Sequence, residues 1–289
     1  MDALLDLLAP KRLTAVVDIG ANPIDGEPPY KRMLSDGLCS VIGFEPQAKA
    51  LAELNRRKGP NEQYLPDAVG DGSEQTLYLC REPGMSSLLE PDPERLALFN
   101  EFSGFGQVIQ TSRIKTRRLD DIPEVGKLDL LKLDVQGSEL RVIQGAAEKL
   151  AQAVAVQIEV SFMPLYRDQP PFGAIDLELR RRGFVPHGFA ELKLWPIAPT
   201  VINGDPRLPI RQLLEGDIIY VRDFTKPENM TGEQWKHLAL IAHHCYGSID
   251  LATRSVLSAE TIGAVRPQAG DQYLRLLQSS AGANDAGAT

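Results

Sequence analysis

Apolar runs that end in an acidic residue recur along this chain. Ala15-Val16-Val17 leads into Asp18-Ile19-Gly20-Ala21-Asn22, Val41-Ile42-Gly43-Phe44 into Glu45, and Leu130-Leu131-Lys132-Leu133 into Asp134. These runs do not alternate, so they predict strands buried on both faces, the signature of a parallel sheet. The predicted strands are Thr14 to Ile19, Ser40 to Glu45, Gln63 to Leu65, Leu128 to Val135 and Ala153 to Val160. Helical spacing fills the intervals. Residues 1–9 form a short amphipathic helix stopped by Pro10, and a second helix begins near Pro29. A third runs from Gln47 to Lys58, with Glu53 and Arg57 one turn apart and Gly59 as its stop. Ser138 to Leu150 places Leu140, Ile143, Ala147 and Leu150 on one face.

Glu74 to Arg81 alternates as a half-exposed strand, and Ser112 to Arg118 is a further strand. Asp176 to Arg182 is a helix ended by Gly183, and its run Arg180-Arg181-Arg182 is a solvated end that suits the helix dipole. Phe184 to Trp195 and Asp217 to Arg222 form an antiparallel edge pair. From Pro227 the pattern is helical, through Trp235 to Leu251. The simplest division is a catalytic domain over residues 1–225, a helical extension over 226–278, and a disordered tail over 279–289. The extension either covers the site or makes a homodimer contact. The Pro-, Gly- and Ser-rich stretch from Glu82 to Gln110, with a short helix near Pro93 to Phe102, is long for a connection, as lids and substrate loops are.

Composition narrows the classes. A net charge of −8 over 289 residues leaves no basic excess for gripping nucleic acid. Cys39, Cys80 and Cys245 have no metal or disulfide spacing and read as buried free thiols. His243-His244-Cys245 point in different directions around a helix and make no metal site, and His187 beside Pro186 is incidental. The first residues lack a basic region before their apolar stretch, and no apolar run reaches the ~18 residues of a membrane span, so the expectation is a cytoplasmic enzyme.

The strand tips carry the candidate chemistry. Asp18, Gly20 and Asn22 form a small, polar turn that lets the backbone approach a ligand. Glu45 suits a ribose diol, because one carboxylate accepts from two hydroxyls. Asp67-Ala68 is either an acceptor for an adenine amine or an ordinary turn. The three-glycine dinucleotide fingerprint and the P-loop lysine are both absent, which favours a phosphate-free nucleoside such as S-adenosylmethionine. Asp134 leaves its strand at the same edge, in Asp134-Val135-Gln136-Gly137-Ser138-Glu139. Glu139 is a helix cap by position or a site group by neighbourhood. Glu159 interrupts an apolar strand and needs either a partner or a role.

These motifs, with Gly43-Phe44-Glu45-Pro46, Ala68-Val69-Gly70-Asp71, Ser86-Ser87-Leu88 and Leu119-Asp120, closely resemble the FkbM family of S-adenosylmethionine-dependent methyltransferases, from about residue 14 to 195. The resemblance implies an α/β, Rossmann-like class I methyltransferase: a seven-stranded, mostly parallel sheet with an antiparallel edge hairpin. It implies a cofactor across Gly20, Glu45 and the Asp67-Ala68 turn, and methylation of a hydroxyl on a sugar, glycan or small natural product. Asp134 is then the first candidate for the base, Glu159 the second and Glu139 the third. Ser86 and Ser87 shape the acceptor pocket. Two departures stand out: Gln136 lies in the cofactor site where the family often has Glu, and the loop from Pro23 to Tyr30 is proline-rich where relatives have a glycine turn. The competing classes are an NAD-dependent oxidoreductase or epimerase, weakened by the missing glycines and Tyr-x-x-x-Lys pair, and a non-catalytic binding module.

Overall fold

Asp2 caps the first helix, α1 (Ala3–Leu8), by accepting the Leu5 N–H at 2.8 Å, and the chain then enters β1 (Thr14–Ile19). The computed structural model of the protein describes residues 2–22 and 26–285, with side chains to residue 278. Pro23-Ile24-Asp25 of the proline-rich loop, and the last four residues of the expected tail, lie outside the described residues. There follow α2 (Lys31–Ser35), β2 (Cys39–Phe44), α3 (Ala48–Arg57), β3 (Glu62–Leu65), β4 (Ala68–Val69) and β5 (Glu74–Cys80). Glu53 forms the expected ion pair with Arg57, and pairs with Arg56 as well. Two short helices, α4 (Pro93–Leu96) and α5 (Phe102–Phe105), interrupt the long connection before β6 (Val108–Arg117) and β7 (Leu130–Leu133). The chain continues through α6 (Glu139–Gln144), α7 (Ala147–Leu150), β8 (Ala155–Ser161), α8 (Phe172–Arg181), β9 (Phe184–Leu194) and β10 (Leu213–Arg222). It ends in α9 (Gly232–His244), α10 (Ile249–Thr261) and α11 (Ala269–Asp285), the last of which continues past Ser279.

The main sheet has seven strands in the order β3-β2-β1-β7-β8-β10-β9. Strands β3, β2, β1, β7 and β8 are parallel, and β10 alone runs against its neighbours. This is the mostly parallel sheet with a reversed edge hairpin that the resemblance implied. A smaller sheet, β4-β6-β5, stands beside it.

Side-chain alternation splits the core into two layers. Val16, Val41, Leu130 and Ala155 face Leu4, Met33, Trp235 and Val256 from α1, α2, α9 and α10. Val17, Leu131, Val156 and Ile158 face Val142, Ile143, Ile175 and Leu179 from α6 and α8. The C-terminal helices thus share one core with the sheet. Towards the strand tips the first layer turns polar: Asp18, Lys132 and Gln157 are register partners across β1, β7 and β8.

Two expected helices are broken. Ser138 to Leu150 divides at Gly145, whose carbonyl accepts from the Asp120 N–H at 3.1 Å, while the Asp120 carboxylate caps the next turn by accepting from the Glu148 and Lys149 N–H groups. Tertiary hydrogen bonds here replace the helical ones; Val142 and Ala146 are buried, and Ala147, expected on the core face, is exposed. The C-terminal helix expected to run to Leu251 ends at His244; Gly247, at φ +60°, turns the chain before α10.

Glu139 opens α6 with its carboxylate folded back: Oε1 accepts from the Val135 and Gly137 N–H groups at 3.1 and 3.0 Å. Burial pushes this carboxyl up from 4.5 to about 7, against those two hydrogen bonds. The folded state therefore holds the proton more tightly than the unfolded chain, so this group's stability is complete below about 4.5 and is lost as pH rises through about 7. Relative to Glu139→Gln, the wild-type unfolding free energy should decline across that window; a parallel pair of curves would contradict it.

Gly20 leaves β1 at φ +85°, where a Cβ would lie 1.9 Å from the Asp134 carbonyl oxygen. Gly20→Ala is expected to destabilise the fold by more than about 3 kcal/mol, from left-handed strain and this clash together. Gly104→Ala, whose Cβ meets nothing within 4 Å, should be near neutral. Denaturant unfolding of the two variants checks the contrast, and equal stabilities would refute it.

Candidate active site

Backbone hydrogen bonds lock three strand tips together. The Gly20 and Ala21 N–H groups both donate to the Phe44 carbonyl, at 3.2 and 3.1 Å, and the Asp134 N–H donates to Ile19 at 3.0 Å. Between the tips lies a crevice lined on its polar side by Gly20, Asn22, Glu45, Asp67, Asp134 and Gln136. Phe44, Val69, Leu77 and Ile114 supply its apolar lining, and Ser86 and Ser87 line it as well. The small sheet, through Leu77 of β5 and Ile114 of β6, therefore builds one side of the crevice.

Glu45 is buried, and one of its oxygens accepts the Gln47 N–H at 2.7 Å. Burial pushes its carboxyl above the usual range, with that hydrogen bond opposing. Hydroxyl donors would compensate such a group. Asp67 is paired with Arg117 at 3.0 Å, and Ala68 begins β4 beside it. No lysine or arginine is among the described residues lining the crevice. A pyrophosphate would meet no compensating cation there, whereas a phosphate-free nucleoside carrying a sulfonium suits a buried acid beside an apolar lining.

Beyond Gly20 the site turns to carboxylates. Gln136, held at φ +53°, donates its two amide hydrogens to two acids: Asp134 Oδ1 at 3.0 Å and Glu159 Oε2 at 2.7 Å. Its own carbonyl oxygens are held in turn. The Tyr166 hydroxyl lies 3.2 Å from Oε1 and 3.1 Å from the Met85 carbonyl, and the Ser87 hydroxyl donates to the Gln136 backbone carbonyl at 2.6 Å. Lys132 stands 3.5 Å from Asp18 and 4.0 Å from Asp134. Burial would strip its proton, but the charges of Asp18, Asp134 and Asp217 outweigh that and raise its pKa. Asp18 also accepts from the Tyr30 hydroxyl at 2.5 Å, yet burial still pushes its carboxyl up. Glu159 is pushed well above the carboxylate range by burial and by the negative charges of Asp134 and Glu215, with Lys193 at 3.4 Å opposing.

The residues singled out in the sequence line the crevice or the cavity beyond it, with one exception; Asp18, expected at the cofactor, and Glu159 line only the second cavity. Glu139 lines neither this crevice nor the cavity beyond it, and its oxygen holds the Asp134–Gly137 turn. Ser86 accepts from the Cys80 N–H at 3.1 Å, which fixes the loop. Tyr30, Lys132, Gln157, Tyr166, Lys193 and Asp217 were missed. Lys132 inside an apolar strand was a signal of the same kind as Glu159; Tyr166 lies in a connecting segment and gave none. The histidines have other partners: His187 with Ser248, His237 with Thr14, His243 with Tyr273 and His244 with Asp2. Among the described residues no group of three or more His, Cys, Asp or Glu is placed to hold a metal, and no helix is long and apolar enough to cross a membrane.

The chain is similar in sequence to known methyltransferases. The chain is 27% identical over 172 residues to 2-O-methyltransferase NoeI of Sinorhizobium fredii (strain NBRC 101917 / NGR234), covering 55% of this chain and 68% of that one. The magnesium protoporphyrin IX methyltransferase of Synechocystis PCC 6803, solved with bound S-adenosylmethionine, aligns over 76% of each chain at 13% identity and a TM-score of 0.37. The precorrin-6y C5,15-methyltransferase of Geobacter metallireducens GS-15 aligns over 76% of this chain and 85% of its own, at 9% identity and a TM-score of 0.37. The methyltransferase FkbM domain matches residues 18–186. With more than half its length inside that match, the chain belongs to the FkbM methyltransferase family, whose methyl donor is S-adenosylmethionine.

Proposed function

We propose that this enzyme methylates a hydroxyl oxygen on a sugar, glycan or small natural product, with Asp134 as the base. One observation carries the reading: Asp134 lines both the cofactor crevice and the cavity beyond it, and is hydrogen-bonded through Gln136 to a second buried acid. That NoeI is a 2-O-methyltransferase supports oxygen as the acceptor atom.

S-adenosylmethionine supplies an electrophilic methyl group on a sulfonium that leaves as a neutral thioether. The chain's own residues have three tasks. Glu45 holds the ribose hydroxyls, Asp67 and the apolar lining hold the base, and Gly20 admits the remainder between the strand tips. Asp134 takes the proton from the acceptor hydroxyl as the new carbon–oxygen bond forms and the carbon–sulfur bond breaks. Gln136 fixes the orientation of Asp134, and its other amide hydrogen keeps Glu159 from competing for the same space. Holding the acceptor oxygen in line can supply effective molarities on the order of 10⁵–10⁸ M, with the base adding roughly 10²–10⁴-fold.

Asp134→Asn should lower turnover by roughly 10²–10⁴-fold while cofactor affinity, read by calorimetry, stays within a few-fold. Unchanged turnover would remove Asp134 from the role of base. Glu45→Ala should do the reverse: cofactor affinity falls about 10- to 100-fold, the loss of hydrogen bonds to a charged group, and turnover at saturating cofactor survives. Wild-type affinity in that variant would place the ribose elsewhere.

A further inference from the structure

On the far side of the Asp134–Gln136–Glu159 bridge lies a second cavity. It is bounded by residues 26–29 of the loop after β1, by Phe189, Ala190, Glu191 and Lys193 of the edge strand β9, and by Tyr246, just past α9. Its charge is lopsided: Asp18, Glu27, Asp134, Glu159, Glu191 and Asp217 line it, against Lys132 and Lys193.

Two buried acceptor atoms in this cavity lack a hydrogen-bond donor. Asp18 is 2% exposed and Gln157 6% exposed, and neither Asp18 Oδ1 nor Gln157 Oε1 has a hydrogen-bond partner. Lys132 approaches Asp18 Oδ1 only to 3.5 Å, an ion-pair distance. Gln157 is fixed by its other end, where Nε2 donates to Asp217 Oδ2 at 2.6 Å. The Tyr246 hydroxyl also has no partner. Unmet buried acceptors are costly, so the cavity is built for a ligand that donates. Water would donate but would leave the charge uncompensated. Burial pushes the Asp18, Glu159 and Asp217 carboxyls up, as expected of a site short of positive charge.

The cofactor's own ammonium accounts for only part of this wall. Glu27, Glu191, Asp217 and Tyr246 line this cavity and not the cofactor crevice. Asp217 is the register partner of Glu159 across β8 and β10, which places it one strand from the carboxylate bridge. A ligand held at Asp217 therefore brings its neighbouring groups to Asp134 and Glu159.

We propose that this cavity receives the methyl acceptor, and that the acceptor is a small hydroxylated amine, of the amino-sugar or aminocyclitol class, with its ammonium held between Asp217 and the Gln157 carbonyl. The inference rests on the hydroxyl-methylating function above. It excludes phosphorylated and carboxylated sugars, which would bring a further anion into an acidic cavity.

The test is calorimetry on the full chain saturated with S-adenosylhomocysteine, titrated with glucosamine, N-acetylglucosamine and glucose 6-phosphate. Glucosamine should bind at least about tenfold more tightly than N-acetylglucosamine, from one charge-assisted contact, and glucose 6-phosphate most weakly. Asp217→Asn should abolish the preference while leaving the affinity for S-adenosylhomocysteine unchanged. Equal binding of the two amino sugars, absence of binding by all three, or a preference that survives in Asp217→Asn would overturn the proposal. Because S-adenosylhomocysteine is titrated first, its failure to bind would instead strike the methyltransferase reading on which the proposal stands.

Discussion

One glutamine side chain holds the chemistry of this site in place. Two carboxylates at the tips of β7 and β8 would repel one another in a region where water is scarce, and Gln136 donates one amide hydrogen to each. An amide is the side chain suited to this, because its two donors diverge and it adds no charge. Holding it there requires a left-handed backbone at φ +53°, a conformation that costs energy outside glycine. The surroundings offset that cost from three directions. Ser87 donates to its backbone carbonyl, the Tyr166 hydroxyl, shared with the Met85 carbonyl, reaches its side-chain oxygen, and Glu139 gathers the N–H groups on either side of it. A third acid at this position would need a proton or a cation that the Gln136 amide makes unnecessary.

The rest of the fold serves to bring that turn to the right place. The first hydrophobic layer is complete only along the lower part of the strands, where Val16, Leu130 and Ala155 meet the terminal helices. One register step nearer the tips, Asp18, Lys132 and Gln157 take the same face, so the point at which the core ends is also where the site begins. The small sheet and the loop carrying Ser86 and Ser87 close the crevice from the side of the second and third strands. The edge strand β9, held by the reversed β10, closes the other cavity. The two cavities share Gly20, Asn22 and Asp134, which is the geometry a transfer between two bound molecules requires.

Much of this was legible in the sequence because its signals are local. An apolar run ending in an acid marks a strand tip whatever surrounds it, and β1 has the bounds its pattern predicted. Gly20, Glu45 and Asp134 were found this way, and Glu159 as an acid interrupting an apolar strand. What escaped depends on contacts between distant parts of the chain. The break at Gly145 comes from hydrogen bonds with Asp120, which no periodicity in the helix announces. Glu139 was ambiguous because a cap and a site acid occupy the same sequence position, and only the direction of the carboxylate separates them. Tyr30 and Tyr166 look like any other aromatic residue until Asp18 and Gln136 are seen beside their hydroxyls. Asp217 and Lys193 lie in the edge hairpin, where alternation explains a polar residue without any function.

The central claim is that cofactor and acceptor meet at Asp134, one in each cavity. A crystal structure of the protein with S-adenosylhomocysteine bound is the most direct measurement. The account predicts the ribose on Glu45, the base along Phe44 and Val69, and the sulfur beside Gly20 and Asp134, facing the cavity lined by Glu159 and Asp217. A ligand whose sulfur lies away from Asp134, or whose ribose avoids Glu45, would contradict it.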